Sequence, residues 1–404
     1  MISRLLNIKV PESWEIRKLN EISEIIMGQS PPSSTYNINS DGLPFFQGNA
    51  DFGYYNPKVK VWCNSPKKIA QPNDILVSVR APVGAINIAD VESCIGRGLS
   101  AVRVDHRYDM KYIYYFLNHF NKVFSRLKQG STFEAITKEE LINFPLLLPQ
   151  NLKEQQLISS ILYNIDELIF KTQDLIKSFQ ILKKSLMQRL FTEGIGHTEF
   201  KETKGGKIPK SWNVLQLKKI GRIFTGKTPS TLVDDYWGDD IPFITPGDIT
   251  NKHYIRKTER FVSFLGANQS KLITENGICT VCIGSTVGKV ALAVKDSITN
   301  QQINSMICNE NNDPHYICYA ISNRSRYLKT YAGVAAVPIV KKSLFESFRI
   351  PVPSTIEEQK SISNILLSID NNIEIEEKYQ NRLKEIKKGL MQDLLTGKKR
   401  VKIN

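Results

Sequence analysis

The chain has 404 residues, too many for one ordinary domain and enough for two or three. Apolar residues make up 41% and charged residues 23%, which excludes a fibrous chain and wholesale disorder. Lys plus Arg outnumber Asp plus Glu by 54 to 40, and the net charge of +14 favours a polyanionic partner, nucleic acid before an acidic membrane face.

No window approaches 18 consecutive apolar residues, so no membrane-spanning helix is expected. The opening segment, interrupted by Arg4, Lys9 and Glu12, reads as neither signal peptide nor anchor. Six cysteines are too few for a disulfide framework in a chain of this length, which points to a reducing cytoplasm.

The chain is written twice. Val10-Pro11-Glu12-Ser13-Trp14 returns as Ile208-Pro209-Lys210-Ser211-Trp212, and Leu43-Pro44-Phe45 as Ile241-Pro242-Phe243. Val83-Gly84 returns as Val287-Gly288, Tyr112-Ile113 as Tyr316-Ile317, and Pro149 as Pro353. Glu154–Phe191 and Glu358–Leu395 are identical at 15 of 38 aligned positions. Ordered landmarks and ungapped identity together indicate tandem duplication of a unit of about 200 residues.

Each unit opens with a mixed α/β part. Asp74–Val79 and Gly277–Cys282 read as strands, Tyr112–Leu127 and Tyr316–Tyr331 as amphipathic helices closed by Gly130 and Gly333. A long helix without Pro or Gly follows, from Lys153 to Phe191. Its heptad seam is read as Ile158, Ile165, Thr172, Phe179 and Leu186 together with Ile161, Leu168, Leu175 and Leu182. The second copy keeps Ile362, Ile365, Ile369, Leu383, Ile386 and Leu390, and is weaker where Asn372 and Glu376 interrupt the stripe.

The expected class is α+β. Two similar mixed domains (1–150 and 208–352) would be separated by a pair of long antiparallel coiled-coil helices (151–192 and 353–404), with a short flexible link at 193–207. One domain at each end of a helical rod, related by a pseudo-two-fold axis, is the expected arrangement. The alternative has each helix packed on its own domain.

Several motifs suggest chemistry that their context does not support. Gly221–Thr228 matches a P-loop, but no buried strand is read before it and no helix after it, and the first copy has Gln29 where Lys227 stands. The common element is Gly-x-(Ser/Thr)-Pro, a turn signal. Cys279 and Cys282 have zinc-pair spacing, and Cys308 and Cys318 would complete a set, but the first two lie on a strand and face opposite sides, so small buried side chains are expected. Ser30-Pro31-Pro32-Ser33 lacks the aromatic of an amino-methyltransferase, and no carboxylate–Lys cluster suggests a nuclease. His106, His119, His197, His253 and His315 read as scattered. What was duplicated is shape, surface and helix.

Two similar basic domains fit recognition of a split DNA site. Base-edge readout uses Arg or Lys on guanine, Asn or Gln on adenine, and Ser or Thr more loosely. Such residues fall where turns interrupt the repeat. In the first copy they are Gln29, Gln47, Asn49, Arg80, Arg97, Lys128, Gln129, Ser131 and Thr132. In the second they are Lys227, Thr245, Asp248, Ser285, Thr286, Lys289, Asn300, Gln301, Gln302, Lys341 and Lys342. The competing reading of each is a solvated loop residue; that of the whole chain is a duplicated scaffold that assembles partners without reading DNA.

The chain resembles the specificity subunit of a type I restriction–modification enzyme. The resemblance is carried by Pro11 and Trp14 with Pro209 and Trp212, the Gly-x-(Ser/Thr)-Pro turns, Ile241-Pro242-Phe243 with Pro246-Gly247-Asp248-Ile249, and Asn300-Gln301-Gln302. The Pro-x-x-x-x-Glu-Gln helix entries (Pro149–Gln155, Pro353–Gln359) and the Leu-Met-Gln endings (Leu186–Gln188, Leu390–Gln392) add to it. Gly96-Arg97-Gly98 departs from Asn300-Gln301-Gln302 at the matching place.

The resemblance implies two target recognition domains, each reading half of a split double-stranded DNA site, with the helices as spacers. Two methyltransferase subunits would dock on the helices and domains, and restriction subunits would join them. The repeated Lys183-Lys184 and Lys387-Lys388 are candidate docking surface, or simply solvated. The methyl donor, ATP and magnesium would sit on those partners, and this chain would be non-catalytic with no cofactor of its own.

Overall fold

A computed structural model describes residues 9–122, 135–332 and 337–403. Lys128, Gln129, Ser131, Thr132, Gly130 and Gly333 lie outside the described residues. The chain divides into two compact units, Met1–Gln173 with Tyr379–Asn404, and Asp174–Lys378.

In the first unit, Trp14–Lys18 pairs antiparallel with Pro145–Pro149, so the two ends of the domain close on each other. Between them lies an antiparallel sheet in the order Ser23–Met27, Leu99–Val104, Ile75–Ser78, Ile86–Ile88. Ile75–Ser78 is buried along its whole length, as an unbroken apolar run requires. A second sheet of short strands includes Leu43–Phe46 running parallel to Ser93–Ile95.

The helix read over Tyr112–Leu127 is described as Met110–His119, with a break at Phe120, and residues 123–127 lie outside the described residues. Asp109 caps it by accepting from the Tyr112 N–H at 2.7 Å. Gln155 Oε1 accepts from the Asp109 N–H at 2.9 Å, which ties this helix to the long one. Tyr112, Ile113, Phe116 and Leu117 share one core with Ile158 and Leu162 of the long helix and with Met391, Leu394 and Leu395.

The second unit repeats the plan. Asn213–Gln216 pairs with Arg349–Val352. Its main sheet runs Gly221–Thr225, Ile303–Cys308, Ile278–Val281, Val290–Ala293, Tyr254–Ile255. The single helix expected at Tyr316–Tyr331 is two, Pro314–Asn323 and Ser325–Tyr331. They part at Arg324, whose guanidinium donates to the carbonyls of Gly205 and Arg349. The segment read as a flexible link instead contributes a hairpin, Phe200–Thr203 against Gly206–Pro209, turned at Lys204-Gly205 and re-entering the strand at Gly206 with φ +103°.

The long helices are Leu152–Glu193, 42 residues, and Ile356–Leu395, 40 residues. In the first unit the partners run antiparallel: Glu154 meets Arg400, Asp166 meets Lys387, and Gln173 meets Gln380. In the second, Lys183 meets Asp370 and the N–H of Ile195 meets Glu358.

The seam differs from the expected heptad by one position. Ile158, Thr172, Ile362, Ile369 and Leu383 are buried, and Ile161, Ile165, Phe179, Leu186 and Leu390 are partly so. Leu168, Leu175, Leu182, Ile365 and Ile386 are not in the seam, since each is exposed. The positions that complete it are Leu162, Ile169, Ile176 and Lys183, and Leu366, Ile373, Gln380 and Lys387. Apart from Lys183 both flanks of the first stripe are apolar, and the more uniformly leucine flank is the outer one.

Candidate nucleic-acid interface

In the first domain three loops meet through backbone hydrogen bonds. The N–H of Gly28 donates to Leu99 O at 2.9 Å and that of Gly96 to Phe46 O at 2.8 Å. The Arg97 N–H donates to Ser30 Oγ at 3.1 Å. Gly96 lies against Ser30 and Gln47, and an added Cβ at Gly98 would overlap the Gln47 carbonyl. A fourth loop joins where the Val79 N–H donates to Gly98 O at 2.9 Å.

The result is an open cleft of about 550 Å³. Of the residues singled out in the sequence, Gln47, Asn49, Arg80 and Arg97 line it together. Gln29 is exposed on the adjoining Gly28–Pro31 turn. Ser30, Ser33, Tyr36 and Ser78 also line it. Sequence reasoning missed Tyr36, which is fixed by donating to Pro31 O at 2.8 Å. Its one signal was its closeness to the Ser-Pro-Pro-Ser turn.

The second domain builds the same junction. The Gly226 N–H donates to Ile303 O at 3.1 Å and the Asn300 N–H to Ile244 O at 3.2 Å. Thr228 Oγ1 donates to Gln301 Oε1 at 2.7 Å, and Asn300 Nδ2 to Gln302 Oε1 at 2.9 Å. Gly96-Arg97-Gly98 and Asn300-Gln301-Gln302 therefore occupy equivalent places despite their unlike sequences. Lys227 projects from the matching turn, exposed, with its N–H on Ser270 Oγ.

The remaining second-copy residues separate into groups. Thr245 and Asp248 are engaged with each other: the N–H and Oγ1 of Thr245 both donate to Asp248 Oδ2, at 2.7 and 2.8 Å. Their side chains brace the turn, as Asp51 does by accepting from the Gln47 N–H. Ser285, Thr286 and Lys289 form the loop beside Gln302, with Ser285 the most open. Lys341 and Lys342 start a short helix, and Lys342 pairs with Glu346 at 3.3 Å.

The P-loop look-alike has Gly221–Thr225 as a strand, so its glycines are sheet and turn residues. Cys279 and Cys282 are buried in different core clusters on opposite faces. Burial pushes both thiols up to about 12. Cys282 stands where Val79 does in the first domain: Ile136 donates to Val79 O and Val340 to Cys282 O.

The histidines are less scattered than their spacing suggests. His253 Nε2 lies 3.1 Å from His315 Nδ1, and His253 stacks on Tyr319 at 4.1 Å. Burial, then the neighbouring His315 and Lys183, lower the His253 pKa to about 3. His197 meets Glu358 at 2.8 Å, beside the Trp212 indole.

A model of the type I restriction modification DNA specificity domain matches residues 11–178 and again 209–385. A putative type I restriction enzyme MjaX specificity subunit from Methanocaldococcus jannaschii is 40% identical over 46% of this chain and 44% of its own length. The MjaIX specificity subunit of the same organism is 37% identical over 47% and 45%. The chain thus spans about half the length of these curated relatives. The MjaVIII specificity subunit, also from that organism, is 26% identical over 98% of this chain and 95% of its own. A crystal structure of a type I restriction–modification S subunit from M. genitalium superposes with TM-score 0.66 at 15% identity, covering 98% of both chains, a likeness of fold.

Proposed function

The chain belongs to the family of the type I restriction modification DNA specificity domain, and from that premise we propose that it reads a split site on double-stranded DNA. The observation that carries this reading is one loop junction built twice with different side chains. Arg97, Gln47 and Asn49 stand at the first, Lys227, Gln301 and Gln302 at the second. Equivalent scaffolds hold the polypeptide against the duplex in the same way, and unlike side chains give the two half-sites unlike sequences.

In this reading the chain performs no catalysis. Methyltransferase subunits bring the methyl donor, and restriction subunits bring ATP and magnesium. The complex works in the cytoplasm. Exposed apolar side chains on the helical part of each unit, Leu168 and Phe170 in one and Leu175, Ile181 and Leu182 in the other, support docking of such subunits. Among the described residues no helix is long and apolar enough to cross a membrane.

The test is DNA binding by the chain assembled with its methyltransferase partner. Affinity should fall steeply as salt rises, and a split target should be preferred over random DNA by about 4 kcal/mol or more. Binding without salt dependence and without sequence preference leaves the chain a scaffold and rejects the proposal.

A further inference from the structure

We propose that Arg80 and Arg97 are the residues with which the first unit reads bases, and that the base they read is guanine. This rests on the DNA-reading role above. In the described part of the first domain, every other arginine is tied to a carboxylate: Arg17 to Glu15 and Glu21, Arg103 to Asp74 and Glu24, Arg107 to Asp105. Arg80 and Arg97 are exposed and have no carboxylate partner among the described residues, and both line the same cleft.

Their backbones are fixed before any ligand arrives. The Val79 N–H on Gly98 O joins the two loops one residue from each arginine. Ser78 Oγ donates to Arg80 O at 3.0 Å, and Ser30 Oγ accepts from the Arg97 N–H. Fixed stems reduce the ordering cost when a guanidinium engages an acceptor pair.

The composition of the cleft separates base reading from charge neutralisation. Its described lining contains no Lys, Asp or Glu, only the two arginines among amide, hydroxyl and small residues. Phosphate contact needs positive charge, and lysine supplies it as well. A guanidinium fork has donors only, and the guanine edge in the major groove presents two adjacent acceptors, O6 and N7. Adenine and cytosine each place a donor amino group on that edge. In the second domain, Ile283 stands where Arg80 does, each making an isolated bridge to the equivalent residue (Ile339, Ala135), and Gln301 stands where Arg97 does. The guanine-reading device therefore belongs to one half-site.

The experiment uses the full chain assembled with its methyltransferase partners. Methylated adenines are mapped genome-wide in cells carrying the wild type, Arg80→Ala or Arg97→Ala. The expected result is a split motif with guanine in the half assigned to the first unit. Each variant should lose preference at a guanine there while the other half stays intact. With the wild-type complex, replacing that guanine by 7-deazaguanine, which lacks N7, should weaken binding about 10-fold.

A split motif without guanine in that half overturns the inference but leaves the DNA-reading role standing. Variants that keep full guanine preference overturn it too, as does uniform weakening on all sequences with a shallower salt dependence, the mark of phosphate contacts. A wild-type complex with no split motif overturns the DNA-reading role and this inference with it. If a variant fails to assemble, the 7-deazaguanine measurement decides alone, and undiminished wild-type binding overturns the assignment.

Discussion

The Nζ of Lys387 lies 2.6 Å from Oδ1 of Asp166, inside the helical part of the first unit. The same pair recurs 204 residues away, where Lys183 Nζ lies 2.6 Å from Asp370 Oδ1. Each carboxylate also accepts from the equivalent tyrosine, Tyr115 on Asp166 and Tyr319 on Asp370. Tyr54 adds a further donor to Asp166. The repeat thus carries a polar clasp between each recognition domain and its helices, in the seam itself.

Removing one partner of such a clasp leaves the other charge poorly solvated. Asp166, only 2% exposed, is the more enclosed carboxylate, and Asp370 is 21% exposed. Lys387→Ala strands the enclosed Asp166 carboxylate and should cost about 3–5 kcal/mol, with a smaller loss for Lys183→Ala, which strands the more open Asp370, measured by urea unfolding. Asp166→Leu combined with Lys387→Met should recover most of the loss. Equal, negligible effects of both single substitutions would mean that the clasps contribute nothing to folding.

The displaced seam makes a second prediction. Ile169→Ala and Ile176→Ala remove buried side chains and should each cost about 2–4 kcal/mol. Leu168→Ser and Leu175→Ser, one residue away but exposed, should change stability by no more than about 0.5 kcal/mol. If the outer leucines are partner surface, Leu175→Ser with Leu182→Ser should abolish copurification with the methyltransferase while thermal unfolding of the isolated chain stays unchanged.

Acid should act on the second unit through His253. It is buried against His315, Tyr254 and Tyr319, with Lys183 and Asp370 nearby, and its pKa is lowered from 6.5 to about 3. The unfolded chain therefore binds a proton below pH 6.5 that the folded chain refuses. The stability is fully present above pH 6.5 and is lost as pH falls towards 3, by a few kcal/mol. The first copy has a tyrosine, Tyr55, at this place, where the backbone carbonyls of both accept equivalent N–H groups, from Ile88 and Leu292. A His253→Tyr variant should flatten the loss between pH 6.5 and 4 in calorimetric scans; an unchanged slope would remove His253 as its source.

Cys279 and Cys282 should be inert while the protein is folded. With Cys279 and Cys282 pushed up to about 12, iodoacetamide at pH 8 should label neither until denaturant is added, as followed by mass spectrometry. The folded state keeps these protons where the unfolded state loses them. The stabilisation they carry is therefore present below pH 9 and declines as pH rises from 9 to about 12. Rapid labelling of the native protein at pH 8 would contradict the burial of both thiols.

Much of this architecture was legible because duplication supplies an internal control. The doubled Pro-x-x-Trp openings, the Glu-Gln helix entries and the Leu-Met-Gln endings mark equivalent places, and Trp14 with Glu154 and Trp212 with Glu358 are indeed bonded pairs. The seam was misplaced because apolar periodicity cannot see Lys183, Gln380 and Lys387, which occupy it through hydrogen bonds and ion pairs. The polar turn residues of the first domain were legible one by one. Their convergence was not, because it depends on hydrogen bonds between segments as far apart as Ser30 and Arg97. Thr245 and Asp248 look like ligand-binding side chains until their mutual hydrogen bonds are known.

The glycine floor of the first cleft restricts how its specificity can evolve. At Gly98 the Gln47 carbonyl approaches too closely for any side chain to be added without displacing backbone, and at Gly96 an added Cβ would sit 3.1 Å from Ser30 Oγ and 3.2 Å from Gln47 Cα, so that a neighbour would have to give by a few tenths of an ångström. A single substitution there disturbs the neighbouring loop before it offers a new contact. Between them, Arg97 alone is free to vary. Larger changes of preference, such as the Asn-Gln-Gln arrangement of the second copy, require the opposing loop to change in the same step. New specificities should therefore be inherited as exchanged blocks of sequence rather than accumulated one residue at a time.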